Sequence, residues 1–234
     1  MALYYKYPPG DSISDPPPAA MRDGSFKAMS IKIRVIAYID GFNLYHGLKE
    51  QGWRWAYWLN LQSLMLKYIE TDQELALTKY FTSRVTNAPD KQKRQATFIE
   101  ALGTLKSFKF YFGKYYHDPV ECFNCGRIIN DYHEKMTDVN IATEMLTDAY
   151  QDKYDLALLL SGDSDLVPPI KAIHRLFPAK RIICLFPPRR VSKSLKNVVD
   201  GFEYIDYKKL SKSLFPDEVI KPDGHILLRP DSWK

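Results

Sequence analysis

Tyr154 to Val167 reads YDLALLLSGDSDLV. Its first part, Leu156 to Leu160, is a short, wholly apolar run, the pattern of a strand buried on both faces. The run stops at Ser161-Gly162-Asp163-Ser164-Asp165, and an apolar segment with helical spacing follows. A buried strand that ends at a glycine and delivers two carboxylates beside a helix start makes a cation site. Packing gives no reason to set two like charges at the rim of a core strand, where repulsion and desolvation both cost energy. The alternative is helix capping, for which Ser and Asp are favoured.

Working outward, Ile33 to Asp40 (IRVIAYID) is a second β-branched, apolar run, closed by Gly41. Asp40 then stands at the carboxyl end of a buried strand, and Asn43 follows one turn into the next helix. Further segments alternate in type. Helical spacing covers 60–69, 91–105 and 134–150, and strand patterns cover 75–85, 108–116, 181–186 and 202–207. Such alternation from Ile33 to Leu210 predicts an α/β fold with a mainly parallel sheet and helices on both faces. In that sheet the strand carboxyl ends share one edge, where open α/β sheets bind ligands. Asp40 and the Asp163/Asp165 pair converge there, and Asp138 arrives from the 134–150 helix, on or beside its buried stripe. Asp148, near the end of that helix, reads as solvated. Four carboxylates at one rim repel by several kcal/mol at low dielectric. A hard divalent cation with oxygen ligands is the natural neutraliser.

Composition sets wider bounds. The chain has 234 residues, 45% hydrophobic and 26% charged, which suits a globular protein with one α/β domain or two small ones. The net charge of +5 is compatible with a polyanionic partner. Gly52 to Trp58 is an aromatic cluster around Arg54, either a loop packed on the core or a lip that stacks nucleobases. Lys91, Lys93 and Arg94 open a helix whose dipole they oppose, a pattern that suits phosphate contact or a solvated face. Residues 1–30, with Pro8-Pro9-Gly10 and Pro16-Pro17-Pro18, read as a disordered arm, and residues 211–234 as a loosely attached tail.

Three cysteines make no disulfide framework, no membrane-length apolar run occurs, and no signal peptide opens the chain. These features place the protein in the cytoplasm and away from membranes. Cys122 and Cys125 form one Cys-x-x-Cys turn, flanked by His117 and His133. A structural Zn²⁺, a redox pair and a reduced hairpin are the alternatives for it. Cys184 reads as inert within its strand.

Three blocks then stand in order: IDGFNL from Ile39, EKMTDV from Glu134 and LSGDSDL from Leu160. Together they resemble the signature of NYN domains, PIN-like nuclease domains of the LabA/DUF88 type, over about Ile33 to Tyr207. The resemblance implies a three-layer PIN-like domain spanning 31–210, with a sheet near five strands and a Cys-x-x-Cys insertion near 117–133. It implies metal-dependent cleavage of RNA, or of DNA, with a homodimer as the family's habit. By block position Asp40, Asp138, Asp163 and Asp165 correspond to a site for Mg²⁺ or Mn²⁺. Asn43 corresponds to the polar partner of the first Asp, and Lys135 to a lysine facing the scissile phosphate. Ser161 holds a carboxylate or a bound water. Arg189, Arg190, Lys193 and Lys196, in the loop after a sheet strand, are expected to contact phosphates. The alternative function is a regulator that binds RNA with little turnover.

Overall fold

The computed structural model describes residues 32–86, 88–121 and 123–234, with backbone alone over 115–121 and 129–134. Six parallel strands form the central sheet: β1 (Ile33–Asp40), β2 (Gln73–Thr82), β3 (Phe108–Phe112), β6 (Leu156–Leu160), β7 (Arg181–Phe186) and β8 (Gly201–Tyr204). Their order is β3-β2-β1-β6-β7-β8, one strand more than expected. Two antiparallel hairpins stand apart from it. One joins β4 (Lys114–Glu121) to β5 (Ile128–Lys135), and the other joins β9 (Glu218–Ile220) to β10 (Ile226–Leu228). The helices are α1 (Gly41–Glu50), α2 (Leu61–Met65), α3 (Pro89–Leu102), α4 (Thr137–Tyr150), α5 (Val167–Leu176), α6 (Lys193–Lys196) and α7 (Tyr207–Ser211).

Both faces of the sheet are covered, as two apolar clusters show. On β1, Val35, Ala37 and Ile39 point to a cluster with Leu44 and Leu48 of α1, Leu61 and Leu64 of α2 and Leu102 of α3. Ile36 and Tyr38 point the other way, to Ile141 and Met145 of α4, Ile170 and Ile173 of α5 and Leu195 of α6. The alternation is the two-residue period of a strand, and the apolar run Leu156 to Leu160 is buried throughout because β6 is sandwiched by both layers.

Several boundaries differ from the sequence expectation. The 134–150 helix begins only at Thr137, because Met136 takes a left-handed backbone with φ of 83°. Glu134 and Lys135 therefore belong to the end of β5 and do not share a helix face with Asp138. The 60–69 helix shortens to α2, capped by Asn60, whose side chain accepts the Ser63 N–H at 2.8 Å. Gly113 interrupts the 108–116 strand. The C-terminal segment is no loose tail: Val219 and Leu227 enter the core, and Trp58 donates its indole N–H to the Pro216 carbonyl at 2.8 Å. Arg229 donates to the carbonyls of Trp55 at 2.8 Å and Trp233 at 2.6 Å.

Asp148 is also not solvated. It is fully buried, accepts the Tyr38 hydroxyl at 2.7 Å, and pairs with the ammonium of Lys79, itself 2% exposed. Lys79 also contacts Glu144 at 2.6 Å, one turn back on α4, and Glu144 accepts the Tyr111 hydroxyl at 2.7 Å. The rings of Tyr38 and Tyr111 flank the ammonium, with centroids 5.7 and 5.5 Å away. Burial and the adjacent Asp148 push the Tyr38 hydroxyl pKa well up, so it stays a donor. The network pins α4 to the sheet at a fixed height, since an unpaired charge there would be costly.

Candidate metal and nucleic-acid site

β1 and β6 are central neighbours, Ile39 opposite Leu160, and the chain's direction of progress across the sheet reverses between them. The crevice outside the carboxyl ends at such a switch point is where open α/β sheets bind ligands. Asp40 ends β1 there and is 2% exposed. One carboxylate oxygen accepts the Asn43 N–H at 2.9 Å, which caps α1, and the other accepts the Ser161 hydroxyl at 2.8 Å. The buried Ser161 oxygen in turn accepts the Asp163 N–H at 3.1 Å. Asn43 closes the circuit, its side-chain oxygen accepting the Gly162 N–H at 3.0 Å. Asp40, Asn43, Ser161 and Asp163 thus form one connected set across the two strands.

Asp163, half-buried, accepts the Asp165 N–H at 2.9 Å and caps the 3₁₀ turn Ser164–Leu166, while Asp165 is exposed. The capping role expected of these residues is real, yet it uses one lone pair of a carboxylate that has about four acceptor sites. Capping and ion binding are compatible here.

The surroundings are tightly drawn. A Cβ on Gly162 would lie 2.4 Å from the Arg190 carbonyl oxygen, and one on Gly47 would lie 2.5 Å from that of Pro188. The loop after β7 is therefore wedged between α1 and the Ser161–Asp163 turn. That wedge holds its arginines at the end of α1: Arg190 pairs with Glu50, and Arg189 donates to the Gln51 side chain at 2.8 Å. Lys196 lies over the ring of Phe202, 4.6 Å from its centroid, and Lys193 is exposed.

Asp138 reaches the same edge. A Cβ on Gly113, just past β3, would lie 2.6 Å from the Ser83 hydroxyl and 2.7 Å from that of Thr137, so the start of α4 meets the ends of β2 and β3. Asp138 is half-buried in the first turn of α4, and α4 packs beside the turn carrying Asp165. Lys135 is exposed at the end of β5.

Among the described residues no three His, Cys, Asp or Glu side chains are grouped as ligands of one ion. Oxygen donors from one or two carboxylates, opening on solvent, suit a small hard cation that keeps several waters; a site of that kind needs no all-protein cage. The donor chemistry of Asp40, Asp163 and Asp165 fits Mg²⁺ or Mn²⁺. For zinc, Cys122 and the side chains of His117 and His133 lie outside the described residues, and Cys125 is exposed. Cys184 is buried, donates to the Ser161 carbonyl at 3.2 Å, and has its thiol pKa pushed up to about 12 by burial, which makes it the inert thiol expected.

Beside Asp40 opens a cavity of about 570 Å³ that sequence reasoning did not assemble. Phe42, Tyr45, His46 and Lys49 of α1 line it at i, i+3, i+4 and i+7, a polar-aromatic stripe next to the buried stripe of Leu44 and Leu48. Arg54, Lys91 and Arg94 also face it. The expected aromatic cluster contributes Tyr57, but Trp58 is fully buried and Trp53 and Trp55 pack on the core and on Tyr207, as a core loop would.

A parallel α/β domain with an acidic, serine-braced switch point defines the class. The NYN domain family profile matches residues 34–206, and the chain belongs to that family of PIN-like nucleases, which typically work with divalent metals. The chain is also similar to 6-hydroxy-3-succinoylpyridine 3-monooxygenase HspA of Pseudomonas putida, 26% identical over 247 residues, covering 88% of this chain and 77% of that one. A crystal structure of a protein of unknown function from Vibrio parahaemolyticus is 23% identical, with a TM-score of 0.49, over 76% of this chain and 95% of that one. No helix among the described residues is long and apolar enough to cross a membrane.

Proposed function

We propose that the protein is a metal-dependent nuclease that hydrolyses phosphodiester bonds of RNA. The observation that carries this is the connected set at the switch point, in which the Ser161 hydroxyl joins the Asp40 carboxylate to the backbone N–H of Asp163 and so fixes the turn that bears Asp163 and Asp165 beside the end of β1. One or two of Asp40, Asp163, Asp165 and Asp138 would ligate the ion directly and the others through its waters. Bound there, a divalent ion lowers the pKa of a water and neutralises charge on phosphate oxygens. The residues supply positioning. Ser161 holds the Asp40 carboxylate and the Asp163 backbone, Asn43 fixes the Gly162 backbone, and the Pro187–Arg190 wedge holds the turn in place. Lys135 and Lys193, both exposed, would meet the substrate's phosphates.

The test is incubation of the purified chain with single-stranded RNA and DNA oligomers, with Mn²⁺ or with EDTA. Asp163→Asn keeps an oxygen for the cap and removes the charge, so it should fold and fail to cleave. RNA cleavage that persists in EDTA, or in a folded Asp163→Asn variant, refutes the proposal.

A second reading follows from the likeness to HspA together with the cationic, aromatic cavity: hydroxylation of a small heteroaromatic acid. Reductant-dependent oxygen uptake on adding 6-hydroxy-3-succinoylpyridine would favour it over the nuclease.

A further inference from the structure

The cavity beside Asp40 has an unusual charge balance. Five of its lining side chains, His46, Lys49, Arg54, Lys91 and Arg94, carry or can accept positive charge, and no Asp or Glu lines it. Among the described residues, Lys49, Arg54, Lys91 and Arg94 form no ion pair with any carboxylate, although twelve pairs are made elsewhere by lysines and arginines. A concave wall of cations with no acid in its lining focuses positive potential into the cavity and selects an anion. The second lining component is aromatic. Phe42 and Tyr45 are each 42% exposed, and a continuous series of rings runs from Phe42 through His46, Tyr45 and Tyr57 to Trp233, with centroids 4.2 to 5.7 Å apart. Half-exposed rings among cations are the composition of a surface that stacks bases while it grips the backbone.

Position adds the third constraint. Gly41 and Phe42, directly after Asp40, and Thr82 and Ser83, at the end of β2, all line the cavity, so its mouth adjoins the sheet edge that carries the carboxylates. Its volume of about 570 Å³ falls in the range of about 300–1,000 Å³ typical of pockets that enclose a ligand of this size.

We infer that this cavity seats a nucleotide of single-stranded RNA adjoining the bond to be cut, its base against Phe42 and Tyr45 and its phosphates against Arg54, Lys91 and Arg94. The inference deepens the nuclease reading and rests on it for the position of the scissile bond; the binding itself stands on the cavity. It also gives the basic start of α3 a ligand: Lys91 and Arg94 face the cavity, and among the described residues neither forms an ion pair, although Asp217, Glu218 and Asp231 share a second cleft with Arg94.

The experiment measures binding of a fluorescein-labelled oligouridylate by anisotropy, in EDTA so that no cleavage intervenes, across a salt series. The double variant Lys91→Glu/Arg94→Glu should bind at least about tenfold more weakly, and the slope of log affinity against log salt should shrink by about 0.7 for each phosphate no longer neutralised. Tyr45→Ala should weaken binding about fivefold or more with the slope unchanged, because stacking releases no counterions. Lys171→Glu, exposed on α5, should bind as the parent does. Circular dichroism establishes that each variant is folded, and a misfolded double variant is replaced by Lys91→Glu alone. Parent-like affinity and slope in the folded cavity variants overturn the inference, as does a parent protein that binds no oligonucleotide in low salt but binds 6-hydroxy-3-succinoylpyridine. Cleavage with Mn²⁺ by the parent and by the unaltered-affinity variants would sink the cavity and leave the nuclease standing. Binding lost in the cavity variants with no cleavage under any metal would do the reverse.

Discussion

Replacing Lys79 by Met should cost this protein about 3–5 kcal/mol of stability, the penalty for removing one partner of a buried ion pair. The side chains are close in length, so the loss is that of the ammonium and not of packing. Asp148, 1% exposed, would keep the Tyr38 hydroxyl at 2.7 Å and only a distant second cation, Lys153, at 3.4 Å. Glu144 contributes less, since at 26% exposure it turns to water when released. The assay is urea unfolding followed by tryptophan fluorescence, for which Trp58 in the core is a suitable reporter. With a slope of about 2 kcal/mol per molar urea, a loss of about 4 kcal/mol lowers the midpoint by about 2 M at unchanged slope. Adding Asp148→Leu should restore most of it, leaving about 1 kcal/mol for the Tyr38 hydroxyl without its acceptor. A single-variant loss below about 1 kcal/mol, or a double variant that loses the sum of both, would mean that the buried pair does not exist as described.

Ser161→Ala removes two bonds of the switch point, one of them to a carboxylate. It should cost about 2–3 kcal/mol, read as a fall in melting temperature of about 4–12 °C; a shift under about 2 °C would contradict the bracing role. Gly162→Ala should destabilise by about 1–3 kcal/mol, because its Cβ would stand 2.4 Å from a backbone oxygen, and an unchanged melt would show that the loop after β7 yields freely. The Arg34 guanidinium bonded to Asp155 holds that carboxyl at about 2, against 3.8 ordinarily. Its stabilisation is therefore complete above about pH 4 and lost as pH falls through about 2. Asp155→Asn should flatten that part of the acid limb, modestly because water screens a pair 42% and 41% exposed. Iodoacetamide at about pH 8 should label Cys125 and leave Cys184 unmodified until the protein is unfolded, as peptide mass spectrometry would record.

What was legible in the sequence was whatever a local pattern determines. Leu156 to Leu160 and Arg181 to Phe186 are strands to the residue, because an unbroken apolar run can be satisfied only in a layer covered on both sides. The ends of β1 and β6 lie side by side because parallel neighbours align, so that Ser161 bonds both the Asp40 carboxylate and the Asp163 backbone, and the family blocks flagged Asn43 and Ser161 beside them. Lys135 was placed on a helix because nothing in a Met announces a left-handed backbone, and Met136 adopts one only where the hairpin hands over to α4. Asp148 was misjudged for a different reason. Its partner Lys79 is 69 residues away on β2, and a helical carboxylate shows no local sign of such a partner. The C-terminal segment deceived likewise, its prolines suggesting slack while its contacts, Arg229 to Trp55 among them, span 174 residues. The cavity cations come from three segments, and only the fold shows that no acid lines the cavity with them.

The hydroxyl of Ser161 reaches a carboxylate 121 positions earlier in the chain. A ribosome that has made β1 through β3 has therefore made an aspartate capping its own helix and nothing more; the second half of the acidic pair is not yet translated. On the nuclease reading, a growing polypeptide of this kind is harmless to the message that encodes it, and a fragment clipped ahead of β6 stays harmless for good.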